Sequence, residues 1–331
     1  MNGWFKRHWW WVLILLAVIG ATWWVRTDKQ VFLSPEAPYV LLEKPLEKYS
    51  FANLRQASFT GSEIKLERVL AEEAGYTSWM FVYDADGGKI SGQVNIPKGE
   101  PPAGGRPVIV MLRGYVDQEI YEIGVGTSRV AAVLAANGFI TLAPDFLGYG
   151  ESDLPPNNTL QERFMRPGQV IQLIESVKSL PQADPDRVGI WGHSNGGQIA
   201  LSVLEITGKD YPAVLWAPVS KPFPYSILYY TDEFDDYGRA LRQVVAGFEA
   251  VYNADDYSIH RYYDWISAPT QIHQGTSDDA VPYEWSQELN DRLEALDKEV
   301  EFYTYPGADH NLLPAWDTAV SRSMEWFAAR L

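Results

Sequence analysis

Three short stretches hold residue types that together can do nucleophilic chemistry. In GHSNGG (192–197) the serine Ser194 stands between small residues, with an apolar run before it and a helical pattern after it. In GTSDDAVP (275–282) two adjacent carboxylates, Asp278 and Asp279, follow the predicted strand TQIHQ (270–274). In YPGADHNLL (305–313) a histidine, His310, follows the last predicted strand, VEFYTY (300–305). A serine hydroxyl is a weak nucleophile without an adjacent base, and an imidazole needs a carboxylate to orient it and hold its charge. These residues are therefore candidates for base-activated attack on an acyl carbonyl.

The chemistry depends on where each residue is held. Gly192-x-Ser194-x-Gly196 between a strand (187–192) and a helix (195–208) predicts a sharp elbow that presents the hydroxyl at a sheet edge. Of the five histidines, His8 lies in the N-terminal tail and His273 within a predicted strand (270–275). His260 lies in an insertion, and His193 adjoins the serine but is expected to project away as a packed side chain. His310 follows the last strand (300–305) and precedes the closing helix (315–331), so it is assigned as general base. Asp278 is assigned as the orienting acid with Asp279 as the alternate, and the other aspartate is expected to cap the helix beginning near Pro282. Asp309 reads as part of the loop.

Acyl transfer also needs two amides for the developing oxyanion. The N–H of Asn195, at the start of the helix, is one candidate. The other is the N–H of Tyr115 in RGYVD (113–117), the loop after the strand PVIVML (107–112). Losing one such donor typically costs about 2.7–4 kcal/mol of transition-state stabilisation. Arg113 in the same loop is a candidate for binding a substrate anion, against a simpler pairing with Asp117 or Asp145.

The elements around these residues alternate. Strands are expected at 64–73, 78–84 and 89–97, then at 107–112, 139–144, 187–192, 213–219, 270–275 and 300–305. Helices are expected at 127–138, 170–180, 195–208, 282–296 and 315–331. This alternation predicts a mostly parallel central sheet with helices on both faces. Residues 220–268, rich in tyrosine and holding the acidic run DEFDD (232–236), are too long for a crossover and are expected to form an inserted lid.

Residues 9–25, WWWVLILLAVIGATWWV, contain no charge, and as a helix would span about 26 Å. Tryptophans mark both ends, and Lys6 and Arg7 precede the run. Residues 1–26 are therefore expected to anchor the chain in a membrane, with the body on the extracytoplasmic side. The alternative is a signal segment that is cleaved, leaving a secreted protein. Residues 27–62, with Pro35, Pro38 and Pro45, read as a linker, and 63–331 as the catalytic domain.

Composition bounds the rest. The 331 residues carry a formal net charge of −16, and the N-terminal segment holds no acid, so the body is more acidic still. Such a body is a poor partner for nucleic acid. No cysteine is present, which excludes disulfides, thiolate metal sites and a cysteine nucleophile. Asp84 and Asp86 lie in a turn without the remainder of a calcium loop, and no metal or organic cofactor is expected.

With these motifs in hand, residues 63–331 resemble the α/β-hydrolase fold, and within it the catalytic domain of prolyl-oligopeptidase-like serine hydrolases. The resemblance is carried by RGYV (113–116), PDFLGYGES (144–152), DPDRVGIWGHSNGG (184–197), HQGTSDDAVP (273–282) and GADHNL (307–312). It implies the triad Ser194, Asp278 and His310, in the chain order of that fold. Arg113 departs from the pattern by standing where the family usually has histidine. A propeller domain is also missing, because residues 27–106 are too few to build one. The expected function is hydrolysis of carboxylic esters or small peptide amides through an acyl-enzyme on Ser194, with an ester favoured. The alternatives are a prolyl-oligopeptidase-like exopeptidase and a non-catalytic, membrane-tethered binding protein on the same fold.

Overall fold

Short runs of fully buried apolar residues form the middle of a nine-stranded sheet in the computed structural model, which describes residues 43–331. The strands are β1 (Lys65–Glu72), β2 (Tyr76–Ala85), β3 (Gly88–Pro97), β4 (Arg106–Leu112), β5 (Ile140–Pro144), β6 (Ala183–His193), β7 (Ala213–Trp216), β8 (Thr270–Gly275) and β9 (Val300–Tyr305). Their spatial order is β1-β2-β3-β5-β4-β6-β7-β8-β9. The first three pair antiparallel, β3 also pairs antiparallel with β5, and every pairing from β5 to β9 is parallel.

Alternation along β4 shows how the layers are built. Val108, Val110 and Leu112 face one core, together with residues of α1 (Phe51–Gln56), α3 (Thr159–Ser176), α4 (Asn195–Thr207) and α7 (Tyr283–Glu294). Ile109 and Met111 face the other, with residues of α2 (Ser128–Ala136) and α8 (Trp316–Arg330). Both faces of a parallel strand are covered, so its sequence is a continuous apolar run. Each fully buried aliphatic side chain of this kind contributes about 1.5–3 kcal/mol.

Three segments differ from the sequence expectation. The stretch expected as a linker is structured from residue 47 onward, with a turn of 3-10 helix at Glu47–Tyr49 followed by α1. Ser50 caps α1, Phe51 and Leu54 are buried, and the Arg55 guanidinium donates to the Glu205 carbonyl at 2.6 Å. Helix α3 starts eleven residues earlier than expected, where the Asn158 side chain accepts from the Leu160 and Gln161 amides. It continues through Pro167, which in sequence reads as a breaker. The insertion at 220–268 contains a short helix, α5 (Tyr225–Leu228), and a longer one, α6 (Arg239–Glu249). Its Phe223, Phe248 and Tyr257 pack on Phe164 of α3, with ring centroids 5.1, 5.5 and 4.7 Å away.

The expected membrane segment and the first part of the linker lie outside the described residues. Among the described residues, no helix is long and apolar enough to cross a membrane.

Candidate active site

Because β4, β6, β8 and β9 run parallel, the loops that follow them open at one edge of the sheet. Arg113–Asp117 follows β4, Ser194 follows β6, Asp278 follows β8 and His310 follows β9. Ser194 is the N-cap residue of α4, with φ 55° and ψ −120°, a backbone conformation rare for a residue with a side chain. Its N–H donates to the Trp216 carbonyl at 2.9 Å, and its carbonyl accepts from Gly197 and Val219 at 3.0 Å each. These bonds fix the turn. A Cβ on Gly196 would collide with the Leu112 carbonyl, so only glycine lets the helix start this close to β4.

Asp278 and His310 are directly paired. The imidazole Nδ1 lies 2.9 and 3.1 Å from the two carboxylate oxygens of Asp278. The Asp278 side chain is fully buried, while that of His310 keeps 19% exposure, enough to be reached from the edge. Three further donors converge on the carboxylate: Ala280 N–H at 2.9 Å, Val281 N–H at 2.8 Å and Gln274 Nε2 at 2.9 Å. Burial alone would raise the Asp278 pKa. The His310 bond and charge, with the Val281 and Gln274 donors, outweigh that and hold it below the ordinary carboxylate range. A carboxylate kept ionised beside Nδ1 leaves Nε2 free for chemistry.

Asp279 is exposed and does not cap α7, whose N-cap is Pro282 without a side-chain bond. The carboxylate that binds the free amides there is Asp278 itself. Asp309 accepts from Asn311 and Leu313 N–H at 2.9 Å and shapes the His310 loop.

Among the described residues, no hydrogen bond joins Ser194 to His310. Such bonds are often long without substrate and tighten when it binds. The loop after β4 passes directly over Ser194: a Cβ on Gly114 would lie 3.1 Å from the Ser194 Cβ. Tyr115 follows, 74% exposed, with its hydroxyl donating to Asp117 at 2.7 Å. Its N–H is engaged by no partner among the described residues, and Asn195 N–H is the first, unpaired amide of α4.

Arg113 does not meet the expectation of a substrate contact. It is buried, and its guanidinium donates to two main-chain carbonyls, Gly114 at 2.9 Å and Asp145 at 3.0 Å. The rings of Tyr149 and Tyr121 lie 4.1 and 4.6 Å from it. It bonds the Asp145 backbone rather than a carboxylate. These two bonds and the ring contacts hold the loop after β4 against the GYG segment.

His193 also differs from expectation. It faces the base loop instead of pointing away: Nε2–H donates to the His310 carbonyl at 2.9 Å, and the two rings are 4.6 Å apart. Burial, reinforced by the adjacent His310, lowers its pKa to about 4, so the ring is neutral and cannot serve as a second cation. His273 is buried between Tyr305 and Gln271, at 2.8 and 2.7 Å. His260 pairs with Ser258 at 2.8 Å.

Sequence reasoning missed Gln274. Its amide holds Asp278 and the Val281 carbonyl, while its oxygen accepts from Ser286 at 2.7 Å. The signal was present, because a polar residue inside a fully buried strand must find partners.

Comparison with known proteins agrees with this architecture. Residues 126–331 match the prolyl oligopeptidase family. The chain is 25% identical over 228 residues to the uncharacterized peptidase YtmA of Bacillus subtilis, covering 66% of this chain and 85% of that one. The acetyl xylan esterase from Paenibacillus sp. R4 superposes with a TM-score of 0.61 at 20% identity, over 85% of this chain and 92% of the esterase. Porphyromonas gingivalis dipeptidyl peptidase 4 superposes with a TM-score of 0.58 at 17% identity, over 78% of this chain but only 36% of the peptidase. The fold is thus that of the α/β-hydrolases, and the chain belongs to the prolyl oligopeptidase family of serine hydrolases.

Proposed function

We propose that this hydrolase cleaves carboxylic esters through an acyl-enzyme on Ser194. The observation that carries the proposal is the buried, four-donor Asp278 carboxylate paired with His310, at the same sheet edge as the strained Ser194 elbow. His310 Nε2 takes the Ser194 proton as Oγ attacks the acyl carbonyl. The amides of Asn195 and Tyr115 receive the oxyanion. His310 then protonates the departing alcohol, and a water repeats the sequence in reverse to release the acid. Asp278 stays ionised throughout.

An ester is favoured over a peptide because the esterase neighbour matches nearly end to end, whereas the dipeptidyl peptidase extends far beyond the shared part. Peptide hydrolysis remains the second reading, supported by the family and by the YtmA relative. Side-by-side kcat/KM for p-nitrophenyl acyl esters and for aminoacyl and prolyl anilides tests the choice. Faster anilide cleavage reverses it. Loss of both activities in Ser194→Ala is expected, and normal turnover in that variant rejects the mechanism.

The N-terminal segment belongs to the same proposal. Residues 9–25 anchor the enzyme with its catalytic body on the extracytoplasmic side, supported by the charge-free run and its flanking tryptophans. Retention in membranes after alkaline carbonate washing is expected, with the segment still attached by N-terminal sequencing. Release, or a start beyond residue 20, sinks the anchor.

A further inference from the structure

The cation sought at position 113 is found elsewhere. Arg163, on the first turns of α3, lines a narrow cleft that runs along α4 from Asn195, the residue after the nucleophile. Gln198 lies on the same face of α4 as Asn195, and its amide oxygen accepts from the Arg163 guanidinium. Phe164, Phe223 and Ile259 supply apolar walls.

Arg163 makes no ion pair among the described residues, whereas its neighbour Arg166 is paired with Glu162 at 2.5 Å. The neutral Gln198 side chain accepts from Arg163, and Tyr230 and Glu162 nearby only partly favour its charged form. Burial, with the Arg166 charge beside it, lowers its pKa to about 10, so it remains a cation that has lost much of its water. A cation kept unpaired in a chain of net charge −16 is available to an incoming anion. A guanidinium takes a carboxylate through two parallel bonds.

We propose that Arg163, steadied by Gln198, binds a carboxylate of the substrate one helical turn from Ser194, so that the preferred substrates are acidic. This rests on the ester-hydrolase proposal and adds the substrate class to it. The carboxylate can belong to the acyl part, as in a dicarboxylic half-ester, or to the leaving group, as in an ester of a hydroxy acid. The apolar walls take the carbon chain between the two functional groups.

The experiment compares kcat/KM of the full chain for the p-nitrophenyl half-ester of glutaric acid with that for p-nitrophenyl pentanoate. A second pair is butyryl glycolate against its methyl ester. Wild-type enzyme should prefer the acidic member of one pair by about tenfold or more, mainly through KM, as expected for a charge-assisted bond. The pair showing the preference identifies which side carries the carboxylate. Raising the salt concentration should shrink the preference. Arg163→Gln should abolish it, lowering kcat/KM for the acidic member at least about tenfold more than for the neutral one, and Arg163→Lys should keep part of it. Because Arg163→Gln could disturb α3, the wild-type preference and its salt dependence test the site without any substitution. Turnover of all four esters without preference overturns the acidic-substrate site alone. No turnover of any of them removes the ester-hydrolase proposal as well.

Discussion

Replacing Asp278 by asparagine changes one atom of a carboxylate that accepts from four donors. His310 Nδ1, Gln274 Nε2, Ala280 N–H and Val281 N–H all point at it, at 2.8–3.1 Å. An asparagine oxygen offers two lone pairs, and its NH₂ group is itself a donor. In place of Oδ1 that group faces the Ala280 and Val281 amides; in place of Oδ2 it faces Gln274 Nε2 and His310 Nδ1, and the imidazole can answer by moving its proton, so one or two buried donors are left unsatisfied. At about 1–3 kcal/mol for each unsatisfied group, Asp278→Asn should lose about 1–6 kcal/mol of stability. The catalytic cost is separate. If the NH₂ faces Nδ1, the imidazole is forced into the tautomer with its proton on Nε2, and it cannot accept from Ser194. In the serine-protease case the corresponding change costs about 10⁴ in kcat, or about 5.4 kcal/mol of barrier. The assay is kcat for a p-nitrophenyl ester, alongside urea denaturation of the same variant. Asp279→Asn is the control, because Asp279 is exposed and should change neither quantity measurably. A loss below tenfold in Asp278→Asn, or an equal loss in Asp279→Asn, refutes the assignment.

Two further changes separate architecture from chemistry. Arg113→Ala should lower stability, by removing two buried hydrogen bonds and its contacts with the Tyr121 and Tyr149 rings, each worth about 0.5–2 kcal/mol. It should affect acidic and neutral esters equally; a selective loss of acidic ones returns Arg113 to the substrate site. Glu205 of α4 is fully buried with neither carboxylate oxygen hydrogen-bonded among the described residues, and burial raises its pKa well above the ordinary value. The folded state then holds a proton that the unfolded chain releases, so stability is full below the ordinary glutamate pKa of about 4.3 and falls by about 1.4 kcal/mol per pH unit as pH rises toward the folded value. Glu205→Leu should remove this slope and raise the melting temperature, by more at pH 8 than at pH 5. An unchanged slope contradicts the buried-acid account.

Much of this was legible before any coordinates. Strands such as PVIVML and AVLWA are buried on both faces, so they appear as uninterrupted apolar runs, and the loops after them must open at one edge. Ser194 stands directly after such a run, and Asp278 and His310 were assigned because each follows a predicted strand of the same sheet. What escaped depends on neighbours distant in sequence. Helix α1 is held by Arg55 reaching the Glu205 carbonyl, 150 residues away. Gln274 looked like one more strand residue until Asp278 and Ser286 closed around it. Arg113 was assigned to substrate because a cation in the oxyanion loop suggests an anion, and only the Tyr121 and Tyr149 rings show where it goes. Arg163 lies on the part of α3 that precedes residue 170, ahead of the stretch whose apolar spacing reads as helix.

The central claim is that Ser194 is the nucleophile. Treating the protein with a fluorophosphonate and locating the adduct by peptide mass spectrometry tests it directly. One adduct on Ser194 is expected, forming with the loss of ester hydrolysis and absent from Ser194→Ala. An adduct on another residue, or full hydrolysis with Ser194 unmodified, contradicts the account.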